Sequence, residues 1–202
     1  MYPHPPAVRP ALGTQRTTRA MTWMLTPKTD SELISRFLAG DQRAFADLVR
    51  RYQSPIRQFL RRLAAGDHAL ADDMAQETFL KMFTSLSSFR GDAGLSTWLH
   101  TIAYRSFLRH VASHSRLEFV DDDYMPEVMS VAPTAMSDIL VEQMMKHLSL
   151  NERLMVTLSV SGGMSHAEIA EVTQAPLGTI KSHINRAKKK LARLLGSEEE
   201  CI

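Results

Sequence analysis

The sequence predicts an all-α chain of two small helical domains joined by a flexible acidic linker. Three observations lead there. Apolar residues recur at three-four spacing, the period of one buried helix face, through residues 30–66, 71–116 and 138–195. Between the last two stretches, residues 117–137 lose the striping and gather acids and prolines, which reads as a linker. Two S-x-x-E boxes, Ser149 to Glu152 and Ser165 to Glu168, mark helix starts beyond it.

The 202 residues are enough for one or two domains with real cores. Hydrophobic content is 44% and the formal net charge only +2, so bulk charge points to no partner. Its distribution says more. Acids gather around 118–127 and 198–200, bases around 181–193. One cysteine, Cys201, excludes an internal disulfide and fits a reducing, cytoplasmic compartment. No apolar run reaches membrane-spanning length, and the start lacks the apolar segment of a secretion signal. Residues 1–29 are proline-rich and aperiodic, expected to be a disordered tail. Met21 and Met24 are alternative starts within it, and Arg9, Arg16 and Arg19 are among its basic residues.

Asp30 or Ser31 is placed to cap a first helix through Leu33, Ile34, Phe37 and Leu38, ending at Gly40. Asp41 caps a second, with Phe45, Leu48, Val49 and Tyr52 on its apolar side. Pro55 is expected to break or kink it, and Ile56, Phe59, Leu60 and Leu63 continue the stripe to Gly66. Arg50, Arg51, Arg57, Arg61 and Arg62 read as a solvated face with some scope for DNA contact.

In the third helix Ala75, Phe79, Met82, Phe83 and Leu86 form the expected buried stripe. Asp73, Gln76, Glu77 and Leu80 stand at i, i+3, i+4 and i+7 on roughly the opposite face, as a solvated surface or a docking surface. The fourth helix opens at Ser96 or Thr97, with Trp98, Leu99, Ile102 and Ala103 inside. Its other sides carry His100, Tyr104, Arg105, Phe107 and Arg109, with Arg116 beyond. Aromatics among arginines suit single-stranded nucleic acid, because rings stack on bases and guanidinium groups hold phosphates. The plainer alternative makes Tyr104 and Phe107 ordinary core.

After the linker, Ile139, Leu140, Met144, Met145 and Leu148 stripe one helix, and Leu154, Met155 and Leu158 line the next, ended by Gly162 and Gly163. Ile169, Ala170 and Val172 lie inside a short helix. A turn through Thr173, Gln174 and Ala175 leads to Pro176, suited to a helix's first turn. Leu177, Ile180, Ile184, Ala187, Leu191 and Leu194 then alternate by three and four. Short helix, turn and second helix make a helix-turn-helix, whose second helix enters the major groove. That helix turns Ser182, Asn185, Arg186 and Lys189 outward, with Lys181 and His183 flanking. From Pro176 to Gly196 there are six Lys or Arg and no acid, a charge pattern that attracts phosphate.

Two sets of these residues carry a family resemblance. Asp72-Asp73-x-x-Gln76-Glu77-Thr78-Phe79, then Phe89-Arg90-Gly91-Asp92, then Thr97-Trp98-Leu99-x-x-Ile102-Ala103 resemble region 2 of the bacterial group IV, or extracytoplasmic-function, sigma factors. Glu168-Ile169-Ala170, the run Pro176 to His183, and Arg186-Ala187-Lys188 resemble region 4 of the same group. The resemblance implies region 2 over 30–116, a linker over 117–137, region 4 over 138–196 and a tail over 197–202. It implies binding to core RNA polymerase through Asp73, Gln76, Glu77 and Leu80. It implies opening of the −10 element near His100, Tyr104, Arg105 and Arg109, and reading of the −35 duplex by Lys181, Ser182, His183, Asn185, Arg186 and Lys189. It also implies control by an anti-sigma factor.

Three positions depart from the family pattern. Gln174 stands where a turn glycine is usual, so a positive φ there falls on a non-glycine residue. His183 stands where arginine is common, which weakens one phosphate contact at neutral pH. Arg105 stands where Asn is frequent.

Enzyme chemistry finds no support in the residues. There is no glycine loop with lysine to cradle phosphate and no nucleophile motif, and Cys201 is terminal. His110 and His114 stand i, i+4 without the carboxylate of an H-E-x-x-H site, so no metal or cofactor is assigned. The rival from another class is an autonomous helix-turn-helix regulator binding duplex operator DNA. It accounts for the C-terminal half and leaves Asp73, Gln76, Glu77 and the aromatic-basic helix unexplained.

Overall fold

The computed structural model describes residues 29–114 and 136–196, and among these every regular element is helical. The first run holds α1 (Asp30–Leu38), α2 (Gln42–Leu63), α3 (His68–Ser85), a single 3-10 turn (Leu86–Ser88) and α4 (Leu95–His114). The second holds α5 (Met136–Met145), α6 (Leu150–Val160), α7 (His166–Thr173) and α8 (Leu177–Leu194). The expectations for the N-terminal tail, the acidic linker with Arg116, and the C-terminal tail with Cys201 lie outside the described residues.

Caps and ion pairs fix how α1 and α2 meet. Thr29, one residue before the expected cap, accepts from the Glu32 N–H at 3.2 Å. Asp30 is instead the first helical residue, and its carboxylate accepts from the Tyr52 hydroxyl and pairs with Arg51. Asp41 caps α2 as expected, Oδ1 accepting from the Arg43 N–H at 3.0 Å. Pro55 does not break α2, which runs continuously through it. Proline removes one helix hydrogen bond, but Leu48, Tyr52, Ile56 and Phe59, buried on both sides of it, hold the helix to its neighbours. Leu33, Leu48, Ile56, Phe59, Leu60, Leu63, Met82, Leu86 and Leu99 form the centre of this half, each fully buried.

In the second half α6 is the hub. It packs on α7, on α8 and on α2 of the first half, so Leu154, Met155, Val156 and Leu158 are all buried rather than one stripe. Both capping boxes are formed. The Ser149 N–H donates to Glu152 Oε2 at 3.1 Å, and the Ser165 N–H to Glu168 Oε2 at 2.8 Å. A Cβ at Gly162 would meet the Leu158 carbonyl oxygen at 2.6 Å, so the chain leaves α6 through a residue that has none.

The turn of the helix-turn-helix passes through Gln174 at φ 56, ψ 29, the left-handed region expected from its position. Its side-chain Nε2 donates to the Glu171 carbonyl at 2.6 Å. Left-handed backbone costs a non-glycine residue about 1–2 kcal/mol, partly offset in a comparison with glycine by glycine's greater freedom when unfolded. Gln174→Gly is therefore expected to raise stability by roughly 0.5–1 kcal/mol in a thermal melt. A fall would mean that the bond to Glu171 outweighs the strain.

The halves touch along α2, which packs on α5 and α6. Arg62 donates to the Ser161 hydroxyl at 2.5 Å and pairs with Asp138 at 3.8 Å. His68 Nε2 lies 3.0 Å from the buried Glu142 carboxylate. The arginine face is exposed at Arg50, Arg51 and Arg57, as expected, and half-buried at Arg61 and Arg62. Arg50 pairs with Asp47, Arg51 with Asp30, Arg57 with Asp72, and Arg62 joins the two halves.

Candidate nucleic-acid and protein interfaces

The outer face of α3 divides the four residues expected to dock polymerase. Asp73, Gln76 and Leu80 are exposed, Leu80 at 69%. Glu77 sits round the helix toward α4. It pairs with Lys81 and, at 3.8 Å, with Arg109, and the Lys81 hydrogen bond leads in holding its carboxyl below the usual range. Three of the four thus face outward, and Glu77, half-exposed, also engages its own fold.

Sequence reading missed what lies beside those three. Phe83, expected in the buried stripe, is 45% exposed, and Phe79 is half-buried. With Gln76 and Leu80 they line a groove of 580 Å³ whose other wall is Phe45, Val49, Gln53 and Arg57 of α2. Phe83 packs tilted against Phe37 at 5.4 Å and edge-on to Phe45 at 5.1 Å. The signal was in the spacing: with Leu80 added, the apolar arc of α3 is too wide for one core face.

On α4 the structure reverses part of the expected sidedness. His100, expected on an outer side, is 2% exposed, while Tyr104 at 5% and Phe107 are ordinary core, the plainer of the two readings of those rings. The helix packs against both α2 and α3, so its buried arc takes about half its circumference. His100 donates from Nδ1 to the Ser96 carbonyl at 2.7 Å and meets the Phe59 ring edge-on at 4.8 Å. Burial holds its pKa below the ordinary histidine value and pushes the Tyr104 hydroxyl up. Arg105 and Arg109 remain exposed. With Lys81, Thr84, Ser85 and Ile102 they line a cleft of 260 Å³ between α3 and α4. Three cations around a small cleft suit a phosphate with its base, and Trp98, half-buried against Phe89 at 5.3 Å, places aromatic surface on the same side of α4 as Arg105 and Arg109.

The recognition helix α8 buries Ile180, Ile184 and Ala187 and exposes Lys181, Ser182, Asn185, Arg186 and Lys189, as its spacing predicts. His183 is half-buried, and its Nδ1 accepts from Arg186 Nη2 at 2.9 Å. Lys190, not singled out from sequence, turns back toward α6 and donates to Glu152 Oε2 at 2.8 Å. Among the described residues no helix is long and apolar enough to cross a membrane.

Known proteins match this arrangement along nearly its whole length. Residues 48–117 match the family Sigma-70 region 2, and residues 138–191 match Sigma-70, region 4. The RNA polymerase sigma-H factor of Pseudomonas aeruginosa is 33% identical over 187 residues, spanning 85% of this chain and 96% of that protein. The ECF RNA polymerase sigma-E factor of Escherichia coli is 31% identical over 179 residues, spanning 81% and 92%. Among solved structures, the sigma factor RpoE of Bartonella quintana, held by the anti-sigma factor NepR, superposes with a TM-score of 0.62 at 25% identity, covering 77% of this chain and 98% of that one. A helix-turn-helix with a basic outward face, a helical half matching region 2, and relatives of this identity over nine-tenths of their length place the chain in one family: it belongs to the sigma-70 family of RNA polymerase sigma factors, in the extracytoplasmic-function group.

Proposed function

We propose that this sigma factor holds core RNA polymerase on the outer face of α3, opens the −10 element over α4 and reads the −35 duplex with α8. In this reading residues 30–116 act as region 2, 138–196 as region 4 and 117–137 as the linker between them. Asp73 and Gln76 supply polar contacts around a Leu80 anchor, and the groove lined by Phe79 and Phe83 receives apolar side chains of the partner. Arg105, Arg109 and Lys81 hold the opened strand by its phosphates. Ser182, Asn185 and Arg186 face bases, and Lys181 and Lys189 face phosphates. An anti-sigma factor is the expected regulator, as for the relative from Bartonella quintana.

The observation that carries the reading is the exposed α3 face with its apolar groove. A regulator that binds only duplex DNA has no use for a half-exposed phenylalanine and a leucine exposed at 69% on a helix remote from its recognition helix. The test compares binding to core RNA polymerase with binding to promoter duplex alone. Tight capture of core, with promoter-specific DNA binding only in its presence, is expected. Tight operator binding by the chain alone, with no affinity for core, supports the regulator instead.

A further inference from the structure

Glu152 is 4% exposed, at the start of α6, beneath one flank of the recognition helix. Its Oε2 accepts from the Ser149 N–H at 3.1 Å and from Lys190 Nζ at 2.8 Å. Its Oε1 lies 3.6 Å from Arg186 Nε. Burial alone would push this carboxyl up, but the Lys190 and Ser149 hydrogen bonds together hold it below the usual range, so it is charged at neutral pH. Residues 176–196 carry no acid of their own. Glu152 therefore brings a buried negative charge to α8 from another helix.

A guanidinium has five N–H donors in a rigid plane. In Arg186 the Nε edge faces Glu152, and one Nη2 hydrogen is given to His183 Nδ1 at 2.9 Å. An ion pair at Nε and a hydrogen bond at Nη2 restrict how the planar group turns. In the planar group one hydrogen of Nη1 and one of Nη2 lie side by side at the end of the fork, away from the Nε edge. That end is the part of arginine that meets the O6 and N7 acceptors of guanine side by side. Arg186 is 54% exposed, so without such anchors its fork would sample many orientations before binding.

We propose that Glu152 is a positioning residue for −35 recognition: its buried carboxylate, with His183, holds the Arg186 guanidinium in the orientation that reads a guanine edge. The proposal rests on the assignment of Arg186 as a base-reading residue. It separates Glu152 from its structural duty. Glu152→Gln keeps a carbonyl oxygen for the Ser149 N–H and for Lys190, so the cap survives. The amide then turns an N–H₂ toward Arg186 Nε, donor against donor, and the anchor is lost.

The test is a library of −35 variants transcribed by core polymerase with wild type, Glu152→Gln, Arg186→Ala and the double variant. Preference between promoters is a ratio, so it does not depend on what fraction of a variant is folded. A bidentate contact supplies discrimination of about 5- to 150-fold at one base pair. Glu152→Gln is expected to lower it roughly three- to tenfold at the same base pair that Arg186→Ala relaxes. Binding to unrelated duplex should hold or rise, since a negative charge is removed. In the double variant Glu152→Gln should change nothing further. If Arg186→Ala relaxes one position and Glu152→Gln leaves it intact, or acts equally without Arg186, the positioning role is overturned and Arg186 still reads. If Arg186→Ala itself leaves the profile unchanged, the base-reading assignment fails and this proposal with it.

Discussion

Replacing Asp73, Gln76 and Leu80 together by Ala is expected to weaken core polymerase binding by about 30- to 700-fold while leaving the helical fold intact. Central interface residues that lose an anchor typically cost about 2–4 kcal/mol, which is that range. Leu80 is the residue that should dominate. It is 69% exposed in the free chain, so truncating it removes little from the core. At a partner's surface it would be buried beside the groove formed with Phe79 and Phe83. Glu77→Ala is a different experiment despite its place in the same sequence motif. It releases Lys81 and Arg109, both beside the cleft expected to hold the −10 strand. Its defect should therefore fall on promoter opening as well as on docking. Competition against a labelled sigma factor for core enzyme measures the first effect, and a triple variant that competes like wild type contradicts the docking assignment.

The second large effect separates the two neighbours Tyr104 and Arg105. Tyr104→Ala removes a side chain that is 5% exposed and should cost about 3–5 kcal/mol, a large part of a domain's whole stability. The first half should then melt at much lower temperature, and every activity should fall together. Arg105→Ala with Arg109→Ala touches only exposed side chains and should leave the melt within about 0.5 kcal/mol of wild type. Strand opening should suffer instead, because two of the three cations around the cleft are gone. Permanganate reactivity in the −10 region reads this directly. The arginine pair should reduce it strongly while closed-complex binding is retained. Equal loss of both would mean that these arginines hold duplex rather than opened strand.

What the sequence disclosed follows from what each signal measures. Helix positions were legible because caps and three-four stripes are local. Asp41, the two S-x-x-E boxes and the left-handed Gln174 all stand where the chain alone puts them. Sidedness failed where a helix has more than one neighbour. The stripe of α4 marks only its contact with one of them. A second contact buries His100, which one-face reasoning left outside, and decides Tyr104 for the core. Conversely, Phe83 belongs by spacing to a core stripe but is left half-covered, touching Phe37 of α1 and Phe45 of α2. Links between distant residues left no trace in periodicity. The approach of Glu152 to Arg186 and Lys190 and the join of Arg62 to Ser161 pair residues tens of positions apart. Glu152 also looked fully explained as the second member of a capping box, which hid its other role.

The most direct test of the account is run-off transcription from a pool of genomic fragments by purified core RNA polymerase, with and without this chain. Discrete start sites that appear only when both are present are expected. Upstream of them one −35 and one −10 sequence should recur, and transcription should be lost with the Asp73, Gln76 and Leu80 triple variant. A chain that binds some of those fragments tightly by itself, yet adds no start site to the core enzyme, would contradict it.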